Sequence, residues 1–204
     1  MLRKFLSNCK KPQGKFGKMV VNAMNKGHAP LCNWAFDLVP FDNEEKVLDV
    51  GCGGGGNIIR LLKKYPSIKV DGVDYSATSV ESSIQNTQKF KSRTNIVCGD
   101  VMNLPFEDNS YDKVISFESI YFWPDPVEGV KEIARVLKDK GRIILALEMT
   151  NPQKAQFWTK RCEGMNIYTP EELKEFLLKA GFEDIQLHTA KKVWCLAEGV
   201  IYKA

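Results

Sequence analysis

The stretch that decides the fold runs from Lys46 to Asn57 and reads Lys-Val-Leu-Asp-Val-Gly-Cys-Gly-Gly-Gly-Gly-Asn. Its first part, Val47 to Val50, has the aliphatic and β-branched composition of a strand buried on both faces. Glycines at positions 51 and 53–56 follow, and apolar residues then recur at helical spacing until Pro66. A strand, a glycine turn and a helix in this order are typical of the nucleotide-binding unit of a doubly wound sheet. Glycine lets the backbone approach a ligand, and the helix N-terminus offers unpaired amides.

The glycines fit two different nucleotide patterns. Gly51, Gly53 and Gly56 match the G-x-G-x-x-G of dinucleotide sites. Together with Asp49, the glycines at 51, 53 and 55 equally match D-x-G-x-G-x-G, which is typical of S-adenosylmethionine (SAM) sites. The acid favours SAM, because a carboxylate at the end of a strand can orient the turn or pair with the ammonium group of the cofactor. A purely structural turn remains the third alternative.

A second strand, Lys69 to Asp74, is predicted to end in an acid a little over twenty residues after Gly51. A carboxylate at this place accepts hydrogen bonds from ribose hydroxyls. NAD enzymes carry an acid here too, so Asp74 indicates adenosine without naming the cofactor. We expect Tyr75 to lie against the adenine, and Ser76 to cap a helix that runs to about Lys91.

Three further motifs follow in order along the chain. Residues 95–98 form a predicted third strand, which leads into Asp100 and the turn Leu104-Pro105-Phe106. The segment Tyr111-Asp112-Lys113-Val114-Ile115-Ser116-Phe117-Glu118-Ser119 predicts a fourth strand. Asp125 and Pro126 are typical of the start of a helix, and that helix leads into Arg135-Val136-Leu137-Lys138-Asp139-Lys140-Gly141-Arg142.

In this order and spacing, the motifs from about residue 46 to 147 resemble the class I SAM-dependent methyltransferases, in particular the UbiE/type 11 branch. Asp139 and Lys140 depart from the Pro-Gly of that family. The resemblance implies an α/β fold with a Rossmann-like, doubly wound sheet of seven strands, the last one antiparallel. It also implies that Asp100 accepts from the exocyclic amine of the adenine, while the amide of Val101 reaches a ring nitrogen. The implied cofactor contacts are Asp49, Gly51, Cys52, Gly53, Gly55, Asp74, Tyr75, Asp100, Val101 and Phe117.

The flanking regions are less specific. Two amphipathic stripes within residues 1–44 predict helices that cap the site, broken at Gly27-His28-Ala29-Pro30. Residues 45–204 would form the SAM-binding domain, one compact unit. Its last third is expected to contain a fifth strand at 141–147, an aromatic segment at 148–168, a helix behind a capping box at Thr169, and two closing strands.

The reaction leaves few catalytic residues to find. The methyl group of a sulfonium is already activated, so the protein needs no nucleophile, and a general base is needed only if the acceptor must lose a proton. Glu118 and Tyr121, just after the fourth strand, are the catalytic candidates. His28, Trp123 and Trp158 are the candidates for the acceptor pocket, although each has an ordinary structural explanation as a turn or packing residue.

Composition limits the remaining possibilities. The chain has 204 residues, no apolar run as long as a membrane span, and six cysteines and two histidines without metal-binding spacing, so we predict no metal site. Free cysteines favour the cytoplasm. The first 36 residues carry seven of the basic side chains and no acid. A solvated helix face explains this arm better than nucleic acid, because no aromatic residues alternate with the charges.

The sequence therefore favours a SAM-dependent methyltransferase that acts on a small molecule. Three alternatives stay open: an RNA or protein methyltransferase that docks through the basic arm, an NAD-binding oxidoreductase, and a SAM-binding protein without transferase activity. The acceptor and the oligomeric state are not encoded in any recognisable motif.

Overall fold

A computed structural model describes residues 12–203, which contain a seven-stranded sheet in the order β3-β2-β1-β4-β5-β7-β6. The strands are β1 (Lys46–Val50), β2 (Lys69–Asp74), β3 (Ile96–Cys98), β4 (Tyr111–Phe117), β5 (Leu137–Leu147), β6 (Phe182–Ala190) and β7 (Trp194–Ile201). β1 to β5 pair in parallel, whereas β7 runs antiparallel to both β5 and β6. The predicted Rossmann-like sheet with an antiparallel last strand is confirmed.

Helices connect and cover the strands. They are α1 (Gly14–Gly27), α2 (Ala29–Leu38), α3 (Gly56–Lys64), α4 (Ala77–Thr87), α5 (Pro126–Val136), α6 (Gln156–Thr159) and α7 (Pro170–Lys179). Three predicted N-terminal signals are confirmed. The Ser76 hydroxyl accepts from the Ser79 amide, the Asp125 carboxylate accepts from two amides of α5, and Thr169 forms a reciprocal capping box with α7.

The central strands are buried on both faces, so adjacent residues pack into different layers. Leu48 and Val114 belong to the cluster that α5 and α7 cover, whereas their neighbours Val47 and Ile115 belong to the cluster under α2 and α3. Both faces of a parallel sheet must be apolar when helices cover both. This explains why residues 47–50 show no alternation in the sequence.

Two element boundaries differ from the sequence-based prediction. α4 ends at Thr87 and continues as a short 3-10 helix to Phe90, instead of reaching Lys91 as an α-helix. β5 begins at Leu137 rather than Gly141, because Leu137 already pairs with Tyr111 across an irregularity in the register. Pairing with a neighbouring strand is a tertiary contact that local composition does not encode.

The two N-terminal helices lie where the stripes predicted them, with His28 between them. Just before α1, the carbonyl of Pro12 accepts from the hydroxyl of Ser76, the N-cap of α4, and Lys18 of α1 forms an exposed ion pair with Glu81 of α4. Most of the basic arm precedes residue 12 and lies outside the described residues. The division into a cap and a binding domain stays a prediction. Within residues 12–203, no helix combines the length and apolar content that crossing a membrane requires.

Helix α7 offers a matched test of its packing on the sheet. Leu173 is fully buried and Leu178, five residues later, is 55% exposed. We expect Leu173→Ala to lower the free energy of unfolding by about 2–5 kcal/mol, because it leaves a cavity. Leu178→Ala should change it by less than about 0.5 kcal/mol. Urea unfolding of both variants measures this; equal losses would show that α7 does not pack as described.

Candidate active site

A cavity of about 310 Å³ opens at the carboxyl ends of β1, β2 and β4. This is where a doubly wound sheet places its ligands, because β2 and β3 lie on one side of β1 and the chain then crosses to β4 on its other side. α1 covers the opening and contributes the side chains of Val21, Met24 and Asn25 to the wall. The cavity therefore lies between the strand ends and the N-terminal helices.

The glycine loop after β1 forms the floor of the cavity. Gly51 and Gly53 have φ angles of 77° and 53°, and the Gly51 amide donates to the carbonyl of Val73 on β2 at 2.8 Å. Gly55 has a φ of 75° and stands at the N-terminus of α3. Glycine adopts such left-handed angles readily, whereas other residues do so at a cost. The backbone can thus turn directly from β1 into α3.

Asp49 lies beneath this loop and is almost completely buried. Its Oδ2 atom has no hydrogen-bond partner among the described residues. Burial, and next the nearby carboxylate of Asp74, raises the pKa of Asp49 to about 8. An unpaired buried carboxylate oxygen is costly and is stabilised when a cationic group approaches it.

Two more acids stand at the ends of neighbouring strands. Asp74 Oδ2 accepts from the Gly53 amide at 2.9 Å, and Oδ1 accepts from the Ser76 amide at 2.8 Å. Asp100, after β3, holds the Met102 amide at 3.0 Å through one oxygen. Both carboxylates line the cavity, with Tyr75 beside them. Each carboxylate is held in place by backbone amides and has lone pairs left for a ligand.

The opposite end of the cavity is formed by the segment after β4. Glu118 has a φ of 60°, and its Oε1 accepts from the Glu148 amide at 2.5 Å and from the Tyr121 hydroxyl at 3.1 Å. Burial raises the pKa of Glu118 to about 7, although the charge of His28 opposes this. Phe122 and Trp123 continue the wall. An acid with a raised pKa in an aromatic pocket is a functional-site candidate.

His28 reaches this end from the break between α1 and α2. Its Nδ1 lies 3.1 Å from Glu148 Oε2 and 3.5 Å from Glu118 Oε2. Burial lowers the pKa of His28, but the hydrogen bond with Glu148 and the charges of both acids outweigh it and raise the pKa above 6.5. The three side chains are close enough for a metal ion. In the structure the imidazole itself lies between the carboxylates, hydrogen-bonded to Glu148 and in longer contact with Glu118.

Comparison with known proteins identifies the family. A profile described as "Methyltransferase domain", of type 11, matches residues 48–145. The chain is 32% identical over 152 residues to 2-methyl-6-phytyl-1,4-hydroquinone methyltransferase 1 of Oryza sativa subsp. japonica, covering 73% of this chain and 44% of that protein. The chain belongs to the class I SAM-dependent methyltransferases.

Two further comparisons concern the sequence of a relative and the fold of a solved structure. Demethylmenaquinone methyltransferase of Staphylococcus aureus (strain JH9) is 39% identical over 108 residues, which is 52% of this chain and 44% of that protein. A SAM-dependent methyltransferase structure from Aquifex aeolicus superposes with a TM-score of 0.76 at 17% identity, covering 90% of this chain and 98% of that one. The latter likeness concerns the fold alone. The chain spans about half the length or less of the first two relatives.

The cofactor of this family is SAM, and the residues at the cavity fit it. The unpaired oxygen of Asp49 suits the ammonium group of the methionine part, and the carboxylates of Asp74 and Asp100 suit hydroxyl and amine donors of an adenosine. A Cβ added at Gly51 would overlap the side chain of Ser119, so this part of the loop has room only for glycine.

Most residues that the sequence predicted for the site meet at the cavity. Its lining includes His28, Gly51, Cys52, Gly53, Asp74, Tyr75, Asp100, Val101, Phe117, Glu118 and Trp123. Asp49 and Gly55 lie behind this lining, and Tyr121 is buried against Glu118. Trp158 does not line the cavity; it lies on α6, 37% exposed, with its ring against Phe157. Their roles remain predictions.

Three neighbours of the site were missed from the sequence. Asn25 and Arg60 line the cavity from α1 and α3, and Glu148 pairs with His28. A signal for Glu148 exists: it directly follows the apolar run of β5, next to the strand that ends before Glu118. Parallel neighbours end at the same edge of a sheet. No signal exists for Asn25, because its place depends on how α1 packs.

A glycine pair tests the loop. Gly51→Ala should weaken SAM binding at least 10-fold and lower the melting temperature, because its Cβ would overlap Ser119 and its φ is positive. Gly27→Ala, at the end of α1, has open space around the added carbon and should change neither value. Calorimetric titration and thermal melting measure both. Unchanged SAM affinity in Gly51→Ala would show that this loop is not part of the cofactor site.

Proposed function

We propose that the protein transfers the methyl group of SAM to a small acceptor, most simply a hydroquinone. This proposal rests on one cavity, which has two parts. The glycine loop, Asp74 and Asp100 line one part, and aromatic and acidic side chains after β4 line the other. A cofactor site alone would not need the second end. A separate acceptor end next to the cofactor is what a transferase requires.

In this proposal the cofactor half is held by the loop and three carboxylates. SAM supplies a methyl group on a positively charged sulfur, which needs no activation by the protein. Asp74 would accept from the ribose hydroxyls, while Asp100 and the Val101 amide would bind the adenine. Asp49 stands near the methionine part, where its negative charge complements a cation. The main contribution of the protein is to hold donor and acceptor together, which can supply roughly 7–11 kcal/mol.

The acceptor class rests on similarity and on the lining. The rice and staphylococcal relatives are named for the methylation of a hydroquinone and of a demethylmenaquinone. In this chain, Phe122 and Trp123 border the cavity beyond the cofactor half. Flat aromatic surfaces of this kind stack on an aromatic ring. We therefore propose a reduced quinone ring as the acceptor and leave its side chain open.

The polar groups at this end have distinct tasks. Glu118 borders the cavity, and its carboxylate is fixed by the Tyr121 hydroxyl and the Glu148 amide. We propose that Glu118 stabilises positive charge near the acceptor. Tyr121 acts through Glu118, because its hydroxyl also accepts from the Met149 amide at 3.0 Å and is buried behind the lining.

The function is tested by methyl transfer from labelled SAM. The acceptors are a short-chain 2-methyl-6-alkyl-1,4-hydroquinone and a short-chain demethylmenaquinol, both kept reduced under anaerobic conditions. We expect label in at least one product, together with binding of SAM and no binding of NADH in calorimetry. NADH binding would favour an oxidoreductase. Transfer only to RNA or protein, weakened by moderate salt, would favour the macromolecular alternative. SAM binding without any transfer would indicate a binding protein.

The two carboxylates of the cofactor half provide a further prediction. Asp74→Asn and Asp100→Asn should each weaken SAM binding about 10- to 100-fold, since a hydrogen bond to a charged group contributes about 1.5–3 kcal/mol. Asp108→Asn is the control, because Asp108 is exposed and pairs with Arg135 away from the cavity. Calorimetry at fixed ionic strength measures the three affinities. Control-like affinities in the first two variants would refute the assignment.

A further inference from the structure

His28 is placed rigidly at the acceptor end. Its amide donates to the Met24 carbonyl and so ends α1, while its carbonyl accepts from the Cys32 amide and so begins α2. These backbone bonds fix the Cα position. The side chain is fixed in turn by the two carboxylates at Nδ1, so the imidazole has a defined orientation at the wall of the cavity.

The surroundings of Nδ1 determine which ring nitrogen carries the proton. Nδ1 faces the oxygens of Glu118 and Glu148, which accept hydrogen bonds when ionised. When both acids are ionised, Nδ1 is therefore the protonated nitrogen of a neutral imidazole. The other nitrogen, Nε2, is then a basic lone pair, and the described part of the chain places no hydrogen-bond partner against it. A histidine whose tautomer is fixed by a carboxylate at one ring nitrogen can act as a general base through the other nitrogen.

We infer that His28 is the general base of the acceptor half, oriented by Glu148, and that its Nε2 takes the proton that the acceptor loses on methylation. This inference rests on the proposed function. An acceptor hydroxyl gives its proton to Nε2, and the electron pair left on the acceptor forms the new bond to the methyl carbon. The bond between methyl and sulfur breaks with its electron pair remaining on sulfur. The positive charge that the sulfonium loses reappears on the imidazolium, between two carboxylates.

Glu118 is a weaker choice for this base, although its position after β4 suggested it. Its Oε1 already accepts two hydrogen bonds, from Glu148 and Tyr121, and its Oε2 faces the imidazole. Neither oxygen of Glu118 can therefore take a proton from the acceptor unless it first loses one of these contacts. Beside His28, the Glu118 carboxylate instead stabilises the imidazolium that forms.

The tautomer can be measured without any acceptor. The chain contains only two histidines, His28 and His188, so nitrogen-15 NMR of labelled protein gives two assignable rings. His188→Asn identifies the signals of His28 by subtraction. Above the titration of His28 we expect a protonated Nδ1 and an unprotonated Nε2. The opposite tautomer would overturn the inference even if the enzyme is active.

Three variants then test the chemistry. His28→Asn keeps a donor near Glu148 but has no base, so it should bind SAM with unchanged affinity, melt near the wild-type temperature and lose about 100-fold or more in the rate of transfer. Glu148→Gln keeps the base but not its charged partner, so it should lose less of the rate of transfer than His28→Asn loses. His188→Asn is the control, because His188 pairs with Glu198 on the β6–β7 hairpin. Its rate should equal the wild-type rate.

The pH profile separates a base from a packing residue. Glu118 and Glu148 are the charged groups that raise the pKa of His28, and the nearby Cys32 thiol stays neutral because burial raises its pKa to about 12. The rate should fall as the pH falls through a value above 6.5, because the base becomes protonated. Glu148→Gln removes one of the raising groups and should shift this fall to lower pH. A profile that does not shift would contradict the role of Glu148.

The remaining outcomes are distinct. If wild-type protein transfers methyl groups and His28→Asn does so at the same rate, the inference is wrong and the proposed function stands. If wild-type protein transfers to none of the acceptors, the proposed function fails, and the NMR experiment still decides the tautomer. Loss of activity in EDTA with recovery in Mn²⁺ would assign the three side chains to a metal ion and overturn the base.

Discussion

The hydrogen bond from the Gly53 amide to Asp74 Oδ2 connects the two strands on which the cofactor half depends. Gly53 belongs to the loop after β1, and Asp74 ends β2. The same carboxylate holds the Ser76 amide with its other oxygen, and so also sets the entry into α4. The Asp74 side chain thereby fixes three positions relative to one another: the glycine loop, the end of β2 and the start of α4. A carboxylate that accepts from two amides loses much of its rotational freedom before any ligand arrives, which lowers the entropy cost of binding.

Electrostatics explains why a cationic cofactor suits this cavity. Asp49 is buried and Asp74 and Glu118 are largely so, and the loss of solvent is the main cause that raises the pKa of each. Asp74 also makes it harder for Asp49 to ionise, so without a cation nearby the site holds fewer negative charges than its composition suggests. A ligand with an ammonium and a sulfonium reverses this effect. Its charges favour the ionised carboxylates, whereas a dinucleotide with two phosphates would meet repulsion at the same positions.

The residues proposed for the cofactor half are almost all recognisable in the sequence, whereas those proposed for the acceptor half are recognisable only in part. Asp49 lies two residues before the first glycine, Asp74 ends a recognisable strand, and Asp100 lies two residues after another. Local composition is sufficient there because parallel strands end at a common edge, which brings their next residues together without further information. β5 was predicted too short because its first residue is recruited by pairing with Tyr111. Trp158 was placed in the pocket by its residue type alone, which says nothing about the direction in which α6 faces.

The acceptor half needs contacts between elements that are far apart in the chain. His28 lies 120 residues before Glu148, and the two meet only because α1 and α2 pack across the carboxyl ends of β4 and β5. Only one of the two was found from the sequence, and neither suggested the pair. The physical difference is one of entropy: closing a long loop to form a single ion pair is unfavourable unless the helices are already held by apolar contacts. Leu31 and Ala35 of α2 supply such contacts in the layer that includes Ile144 and Ala146 of β5. The proposed acceptor half thus depends on the packing of the N-terminal helices, whereas the proposed cofactor half depends on the sheet.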